Sequence, residues 1–208
     1  MPRALAHLPC LAAKQPLYDR SFFQYQDDIQ NPVYEVLADG LYARLRPASV
    51  VDVGCGTGFL LARFAMRGAT IRGLEGSRHA IALSPVADSI TRCNLERGIP
   101  RVGRFDLCLC IEVAEHLPAR TARMLVRGLT ALSDVVVFTA ATPGQGGAHH
   151  INLRPRSFWS TLFDDEGYSP SGLARHLRSA IDGVDSPAWW IRENLMVFER
   201  RPSGGPSQ

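Results

Sequence analysis

The sequence predicts an α/β fold: a single domain with a Rossmann-like, doubly wound and mostly parallel sheet. Short β-branched or apolar runs alternate along the chain with segments whose apolar residues recur at helical spacing. One run, at residues 105–113, is almost continuously apolar, which is typical of a strand buried on both faces of a parallel sheet. The 208 residues suffice for one domain with its own core.

The individual elements follow from local patterns. Apolar residues between 33 and 45 predict a helix that ends near Pro47, and Asn31 with Pro32 predicts its start. Strands are predicted at 49–53, 70–74, 89–93, 105–113, 134–140 and around 195–199. Helices are predicted over 59–67 and 77–83, from about residue 119, from 157 and over 173–181. An extended arm is expected over 1–16, the domain over 17–200 and a flexible tail over 201–208.

Composition favours a globular protein of the cytoplasm. Hydrophobic residues make up 46% of the chain and charged residues 21%, close to globular averages. The five cysteines are an odd number without zinc-ligand spacing, so reduced thiols are expected. No stretch reaches the roughly 18 apolar residues of a membrane span, and no membrane association is expected. The net charge of +3 and the scattered arginines do not favour nucleic acid as a partner but leave it open.

The first predicted strand ends in a glycine loop, with Gly54, Gly56 and Gly58 at alternate positions. Such glycines let the backbone turn sharply and approach a ligand, and the following helix presents N–H groups to that ligand. The dinucleotide motif GxGxxG would place its third glycine at Phe59. The loop therefore favours a nucleotide-like ligand other than NAD, and a NAD-dependent oxidoreductase stays a weaker alternative.

A carboxylate at the end of the second predicted strand favours a ligand that contains ribose. Glu75 follows the loop by about 20 residues, where an acid can accept hydrogen bonds from both ribose hydroxyls. A glycine loop alone also occurs as an ordinary tight turn, and a lone glutamate is often a solvated acid. Together they favour a bound nucleotide-like cofactor.

These segments resemble the motif series of class I methyltransferases that use S-adenosylmethionine (SAM). The resemblance is carried by DVGCGTGFLL, LEGS and FDLCLCIEVAEHL. Further along, FTAATPGQGGAHHINLRPRSFW and WWIRENLMVF resemble a group of small bacterial members. The resemblance implies a seven-stranded sheet, SAM as cofactor, S-adenosylhomocysteine (SAH) as product, and methyl transfer to an acceptor.

The resemblance also implies roles for individual residues. The glycines would lie beside the methionine part of SAM, Asp52 would orient the loop or contact the amino group through water, and Glu75 would hold the ribose. Asn94 stands where the family often has an aspartate that faces the adenine amino group. The residues expected to bind the cofactor are Asp52, Gly54, Cys55, Gly56, Gly58, Glu75, Asn94, Glu112 and Val113.

Methyl transfer asks little chemistry of the protein, because the cofactor carries the leaving group. What remains is to align the acceptor and to remove a proton if the acceptor is a hydroxyl, a task that suits histidine. The catalytic candidates are His116, Glu115, His149 and His150. A structural role for His116 and a solvated loop around the other two histidines stay open.

The sequence leaves alternatives open for a bound metal and for the methyl acceptor. Glu112, Glu115, His116 and either His149 or His150 could hold a divalent metal, as similar residues do in a family of RNA 3′-end methyltransferases. The same pattern is widespread in members without metal, so no metal is predicted. The predicted acceptor is a small molecule, such as a sugar, natural product or metabolite, since no appended binding domain is visible. RNA methylation is the alternative, and the oligomeric state is not predicted.

Overall fold

The computed structural model describes residues 18–202. The strands of its central sheet are β1 (Ser49–Val53), β2 (Thr70–Glu75), β3 (Ile90–Arg92), β4 (Leu107–Cys110), β5 (Val135–Phe138), β6 (Tyr168–Pro170) and β7 (Met196–Arg200). Their order across the sheet is β3-β2-β1-β4-β5-β7-β6. β1 to β5 pair in parallel, and β7 lies antiparallel between β5 and β6. The predicted doubly wound, mostly parallel seven-stranded sheet is confirmed.

Helices cover both faces of this sheet. They are α1 (Arg20–Leu45), α2 (Phe59–Ala65), α3 (Arg78–Leu83), α4 (Ala122–Leu132), α5 (Arg156–Asp165), α6 (Leu173–Ile181) and α7 (Trp189–Asn194). Alternate strand residues face opposite layers, so Val50 and Leu109 pack with α1, α2, α6 and α7, whereas Val51 and Cys108 pack with α4 and α5. Within residues 18–202, no helix is long and apolar enough to cross a membrane.

The first helix begins much earlier than predicted. Its N-cap is Asp19, whose side chain accepts a hydrogen bond from the Phe22 N–H at 3.0 Å, and the helix continues through Pro32. The prediction of a start at Asn31 and Pro32 is therefore wrong. The buried residues of α1 all follow Pro32, because the preceding turns cover a cavity and not the core. These first turns of α1 carry many polar residues, so no apolar period predicts a helix there.

Other differences lie near the ends of strands. β4 stops at Cys110, short of the predicted 113, because Glu112 adopts a left-handed φ of 55° that cannot continue a strand. β6 and α7 were not predicted. The predicted arm over 1–16 and residues 203–208 of the predicted tail lie outside the described residues.

Candidate active site

A cavity of about 1120 Å³ opens at the carboxyl ends of the parallel strands. It lies where β1 has β2 on one side and β4 on the other, the switch point at which α/β sheets bind ligands. The first turns of α1, the glycine loop, the end of β4 and residues 145–148 form its walls. The segment at residues 144–150, here called the glycine-rich loop, thus forms part of this cavity.

The glycine loop turns tightly between β1 and α2. The N–H groups of Gly54 and Cys55 donate to the Leu74 carbonyl at 2.7 and 3.2 Å. Gly56 has a φ of 56°, lines the cavity, and would place a Cβ with no other atom within 4 Å. At Gly58, by contrast, a Cβ would come within 2.9 Å of Val86. Gly58 thus makes room for neighbouring protein and does not line the cavity, whereas Gly56 keeps the cavity open.

Glu75 connects β2 to the glycine loop. Its Oε2 accepts from the Gly56 N–H at 2.9 Å, and its Oε1 accepts from the Ser77 N–H at 2.6 Å. Burial raises the pKa of this carboxyl above its usual value, although these backbone hydrogen bonds oppose the shift. A carboxylate has about four lone-pair positions, so two remain for hydroxyl groups of a ligand.

Asp52 lies behind the glycine loop and does not line the cavity. Its side chain is buried, and its Oδ1 atom has no hydrogen-bond partner. Burial, with a smaller contribution from the charge of Glu75, raises the pKa of Asp52 to about 7. Near neutral pH the ligand-free site therefore holds Asp52 in both its neutral and its ionised form, and a cation bound nearby would favour the ionised form.

Asn94 lies in the cavity wall after β3. Its Oδ1 accepts from the Glu96 N–H at 2.9 Å and caps the short 3₁₀ turn at residues 95–97. The amide NH₂ group is a donor that an acidic residue would lack. At this position the chain can therefore donate a hydrogen bond to a ligand.

A side-chain hydrogen bond joins the N-terminal half of α1 to the glycine loop. The Thr57 hydroxyl donates to Asp27 Oδ1 at 2.6 Å, and both residues line the cavity. Burial raises the pKa of Asp27 to about 6, against the effect of this hydrogen bond. No local pattern indicates a role for Asp27, because the contact depends on how α1 folds over the loop.

Glu112 stands directly beyond β4 in a strained conformation. Its φ of 55° is in the left-handed region, and its N–H donates to the Thr139 hydroxyl at 2.8 Å. Its Oε1 accepts from Asn194 Nδ2 at 3.2 Å, and the same nitrogen donates to Gln145 at 2.9 Å. Val113 also lines the cavity and packs against Gly54, where a Cβ would lie 2.5 Å from it.

A cluster of ionisable side chains beyond the end of β4 contains Glu115, His116 and His150. It is here called the acid–histidine cluster. Glu115 is fully buried, and its Oε1 accepts from the Ala141 N–H at 3.2 Å. Burial and the neighbouring charge of Glu112 raise its pKa well above the usual value. The two histidines line the cavity, with ring centroids 5.0 Å apart.

Tyr18 packs against this cluster from the start of the described chain. Its hydroxyl lies 3.1 Å from His116 Nδ1, which is also 3.3 Å from the His149 carbonyl. Burial, with the charges of Glu115 and Glu75, raises the pKa of Tyr18 to about 12. The His149 ring lies against Tyr18 at 5.8 Å and does not line the cavity. Of the predicted histidines, the structure thus brings together His116 and His150.

Aromatic side chains surround the mouth of the cavity. Phe22 and Phe23 extend from α1, and Trp189 and Trp190 come from α7. Trp189 is 58% exposed, so much of its ring is accessible at the mouth of the cavity. An apolar or planar ligand can stack on such surfaces.

Comparison with known proteins agrees with this geometry. Residues 51–132 match the family model described as a methyltransferase domain, and the predicted resemblance to class I methyltransferases is confirmed. The ubiquinone biosynthesis O-methyltransferase of Neisseria meningitidis serogroup C is 32% identical over 140 residues, which cover 62% of this chain and 54% of that protein. Its namesake in Escherichia coli K12 is 32% identical over 89 residues, covering 39% and 35%. The chain thus spans about half, or less, of the curated relatives it matches.

Solved structures share the fold over nearly the whole chain. Magnesium protoporphyrin IX methyltransferase from Synechocystis PCC 6803, with bound SAM, has a TM-score of 0.66 at 16% identity and covers 95% of this chain and 100% of its own. Mitomycin 7-O-methyltransferase has a TM-score of 0.63 at 15% identity and covers 92% and 60%. At these identities the likeness establishes the fold alone, a Rossmann-like α/β fold with a mostly parallel seven-stranded sheet.

Proposed function

We propose that the protein is a SAM-dependent methyltransferase that acts on a small molecule. The observation that carries the proposal is the cavity at the switch point, where Gly56 and Glu75 meet at 2.9 Å. The family match over residues 51–132 supports it.

The residues around the cavity fit the chemistry of SAM. The cofactor carries positive charge on its sulfonium and amino groups, and the carboxyl groups of Asp27, Glu75 and Glu112 line the cavity. Glu75 would hold the ribose through its remaining lone pairs, and Asn94 would contact the adenine. Gly56 would leave space beside the methionine part, where a Cβ would enter the cavity.

The chain supplies alignment and removal of a proton. When bound, SAM supplies a methyl group on a sulfonium that is already a good leaving group. The aromatic side chains at the mouth orient the acceptor, and the acid–histidine cluster receives the proton of an acceptor hydroxyl. His116 and His150 are the members of this cluster that reach the cavity.

A small acceptor agrees with the size of the cavity and with the relatives. Its volume of about 1120 Å³ slightly exceeds the roughly 300–1,000 Å³ of usual ligand pockets, which leaves room for a cofactor and a small acceptor. The names of the relatives include ubiquinone biosynthesis and mitomycin O-methylation. A hydroxylated small molecule is therefore the acceptor we infer, in preference to RNA.

Calorimetry with SAM, SAH and NAD tests this function. We expect SAM and SAH to bind in the micromolar range and NAD not to bind. Binding of NAD alone would contradict the proposal. With an acceptor in hand, replacing His116 by Ala should slow turnover far more than it weakens SAM binding, and equal rates would return His116 to a structural role.

The location we propose is the cytoplasm. The four cysteines in the described part of the chain are free thiols, and Cys108 and Cys110 are fully buried in the core. Free cysteines are typical of reducing compartments.

A further inference from the structure

We infer from the geometry that the acid–histidine cluster is a binding site for a divalent transition-metal ion. Glu115, His116 and His150 each offer one ligand atom, and these atoms lie within 4.8 Å of one another. Two imidazoles and one carboxylate suit zinc, manganese, iron or cobalt and leave coordination positions open. An ion about 2.1 Å from each ligand atom keeps those atoms no more than about 4.2 Å apart, so the side chains would move closer together on binding. The sequence pattern alone predicts no metal.

The carboxylate of Glu115 has an unsatisfied oxygen inside the protein. The residue is 0% exposed, and Oε1 is held by the Ala141 N–H at 3.2 Å. Oε2 is buried without a hydrogen-bond partner. Leaving such an atom without a partner destabilises a fold, and a bound cation would satisfy it.

Glu112 lies beside Glu115, close enough for the two carboxyl groups to interact. Neither carboxylate can donate a hydrogen bond to the other when both are ionised. Two adjacent carboxylates in a buried site attract a cation, which neutralises both.

The glycine-rich loop positions His150, and one nitrogen of its ring lacks a hydrogen-bond partner. Its Nδ1 is buried without a hydrogen-bond partner. Its ring lies over Gly147, where a Cβ would come within 2.1 Å of the imidazole. A glycine at 147 is therefore required for the ring to occupy this position beside His116.

His116 has the surroundings of a metal ligand. Its Nδ1 lies 3.3 Å from the His149 carbonyl, which can only accept. The tautomer with the proton on Nδ1 would make this contact a hydrogen bond and leave the lone pair on Nε2 for a metal. Metal-binding histidines commonly donate their other ring N–H to a carbonyl in this way. The Tyr18 hydroxyl, 3.1 Å from the same nitrogen, fixes the ring further.

The position of the site indicates the class of acceptor, and this step rests on the proposed function. His116 and His150 line the cavity, so the open coordination positions face it. A metal bound there would lower the pKa of a coordinated hydroxyl, and the proton would then leave to water, because the lone pairs of the cluster would be held by the metal. The acceptor would therefore be a molecule that offers an oxygen donor to the metal.

The test is metal binding by the full chain without SAM. After removal of metals with EDTA, Co²⁺ is titrated and followed by visible absorption, and Zn²⁺ and Mn²⁺ are titrated by calorimetry. We expect one ion per chain. His150→Ala and Glu115→Gln should each weaken binding by more than about tenfold, since even outer contacts of metal sites cost 10–100-fold.

Two histidines serve as matched controls. His149→Asn changes the adjacent histidine, which is outside the cluster, and Asn tolerates its left-handed backbone. His176→Ala changes an exposed histidine of α6. Both variants should bind metal like the wild type, and circular dichroism checks that each variant is folded.

Absence of saturable metal binding by the wild type would overturn the inference, as would unchanged affinity in His150→Ala. The wild-type titration decides even if Glu115→Gln fails to fold. SAH affinity is measured separately on the same protein. SAH binding without metal binding overturns the metal site alone, whereas metal binding without SAM or SAH binding supports the site and contradicts the proposed function.

Discussion

Asn194 donates a hydrogen bond to Glu112 across 82 residues of sequence, with 3.2 Å between Nδ2 and Oε1. The same amide donates to Gln145 at 2.9 Å and is itself 2% exposed. One buried side chain of α7 thus joins the end of β4 to the glycine-rich loop. Any motion of that loop away from the cavity must break these bonds.

Replacing Asn194 by Ala should weaken SAH binding. The change leaves the Glu112 carboxylate and the Gln145 carbonyl without their donor, and a hydrogen bond to a charged group contributes about 1.5–3 kcal/mol, or roughly tenfold or more in affinity. Calorimetry measures the effect. Glu193→Ala, an exposed neighbour on the same helix, should bind SAH normally. Equal affinities for both variants would mean that the network does not support the cofactor site.

Gly56→Arg should abolish SAM binding because its side chain would fill the cavity. Gly68→Arg is the matched control, since Gly68 also has a positive φ and open space for a Cβ, but is exposed and does not line the cavity. Both variants carry the same kind of backbone strain, on the order of 1–3 kcal/mol, measurable by denaturant unfolding. Loss of SAM binding in Gly56→Arg alone is expected; retained binding would contradict the assignment of the cavity to the cofactor.

Thr57→Val should accelerate release of SAH. The variant removes the hydroxyl that holds Asp27 and with it the covering half of α1. A net hydrogen bond of about 1 kcal/mol corresponds to roughly a fivefold faster dissociation. Stopped-flow fluorescence of the nearby tryptophans measures the rate. The control is Thr161→Val, which removes an exposed helix hydroxyl bonded to Ser157 and should leave the rate unchanged. A wild-type rate in Thr57→Val would show that the hydrogen bond between Thr57 and Asp27 does not retain the cofactor.

Asp52→Asn should stabilise the ligand-free protein increasingly as pH rises from about 4 to 7. The unfolded carboxyl loses its proton near 3.8, whereas burial raises the folded pKa to about 7. The unfolded state thus binds fewer protons in this window, and the wild type loses stability as pH rises. The full shift corresponds to at most about 4 kcal/mol. Urea unfolding at pH 4.5 and 8 measures the difference, and a gain independent of pH would contradict a neutral Asp52.

Most of the sheet could be predicted from sequence because buried strands leave local patterns. The strands at 49–53 and 70–74 and the helix at 77–83 appear in the structure close to their predicted positions. β6 could not be predicted, since its three residues end in Pro170 and exist as a strand only through antiparallel pairing with β7. The start of α1 was missed because its first turns face the cavity, so no apolar period marks them.

The cofactor half of the site was more predictable than the acceptor half. Gly56 and Glu75 follow directly from strand ends, where parallel topology determines their meeting. Asp27 and Gln145 reach the cavity, and Asn194 reaches Glu112 and Gln145, through loops and helix packing that no local pattern encodes. The separation of His149 from His150 depends on a left-handed residue at 149 and on the space above Gly147.

The two borders of the sheet are formed by β3 and β6, each of three residues. Unpaired strand edges are templates on which other chains add and aggregate, and natural proteins counter this with short edges, charged residues and proline. Here β3 ends in the exposed Arg92, and β6 ends in the exposed Pro170. Within residues 18–202, neither border therefore offers a long row of unpaired backbone groups, and this disfavours extension of the sheet by a second chain.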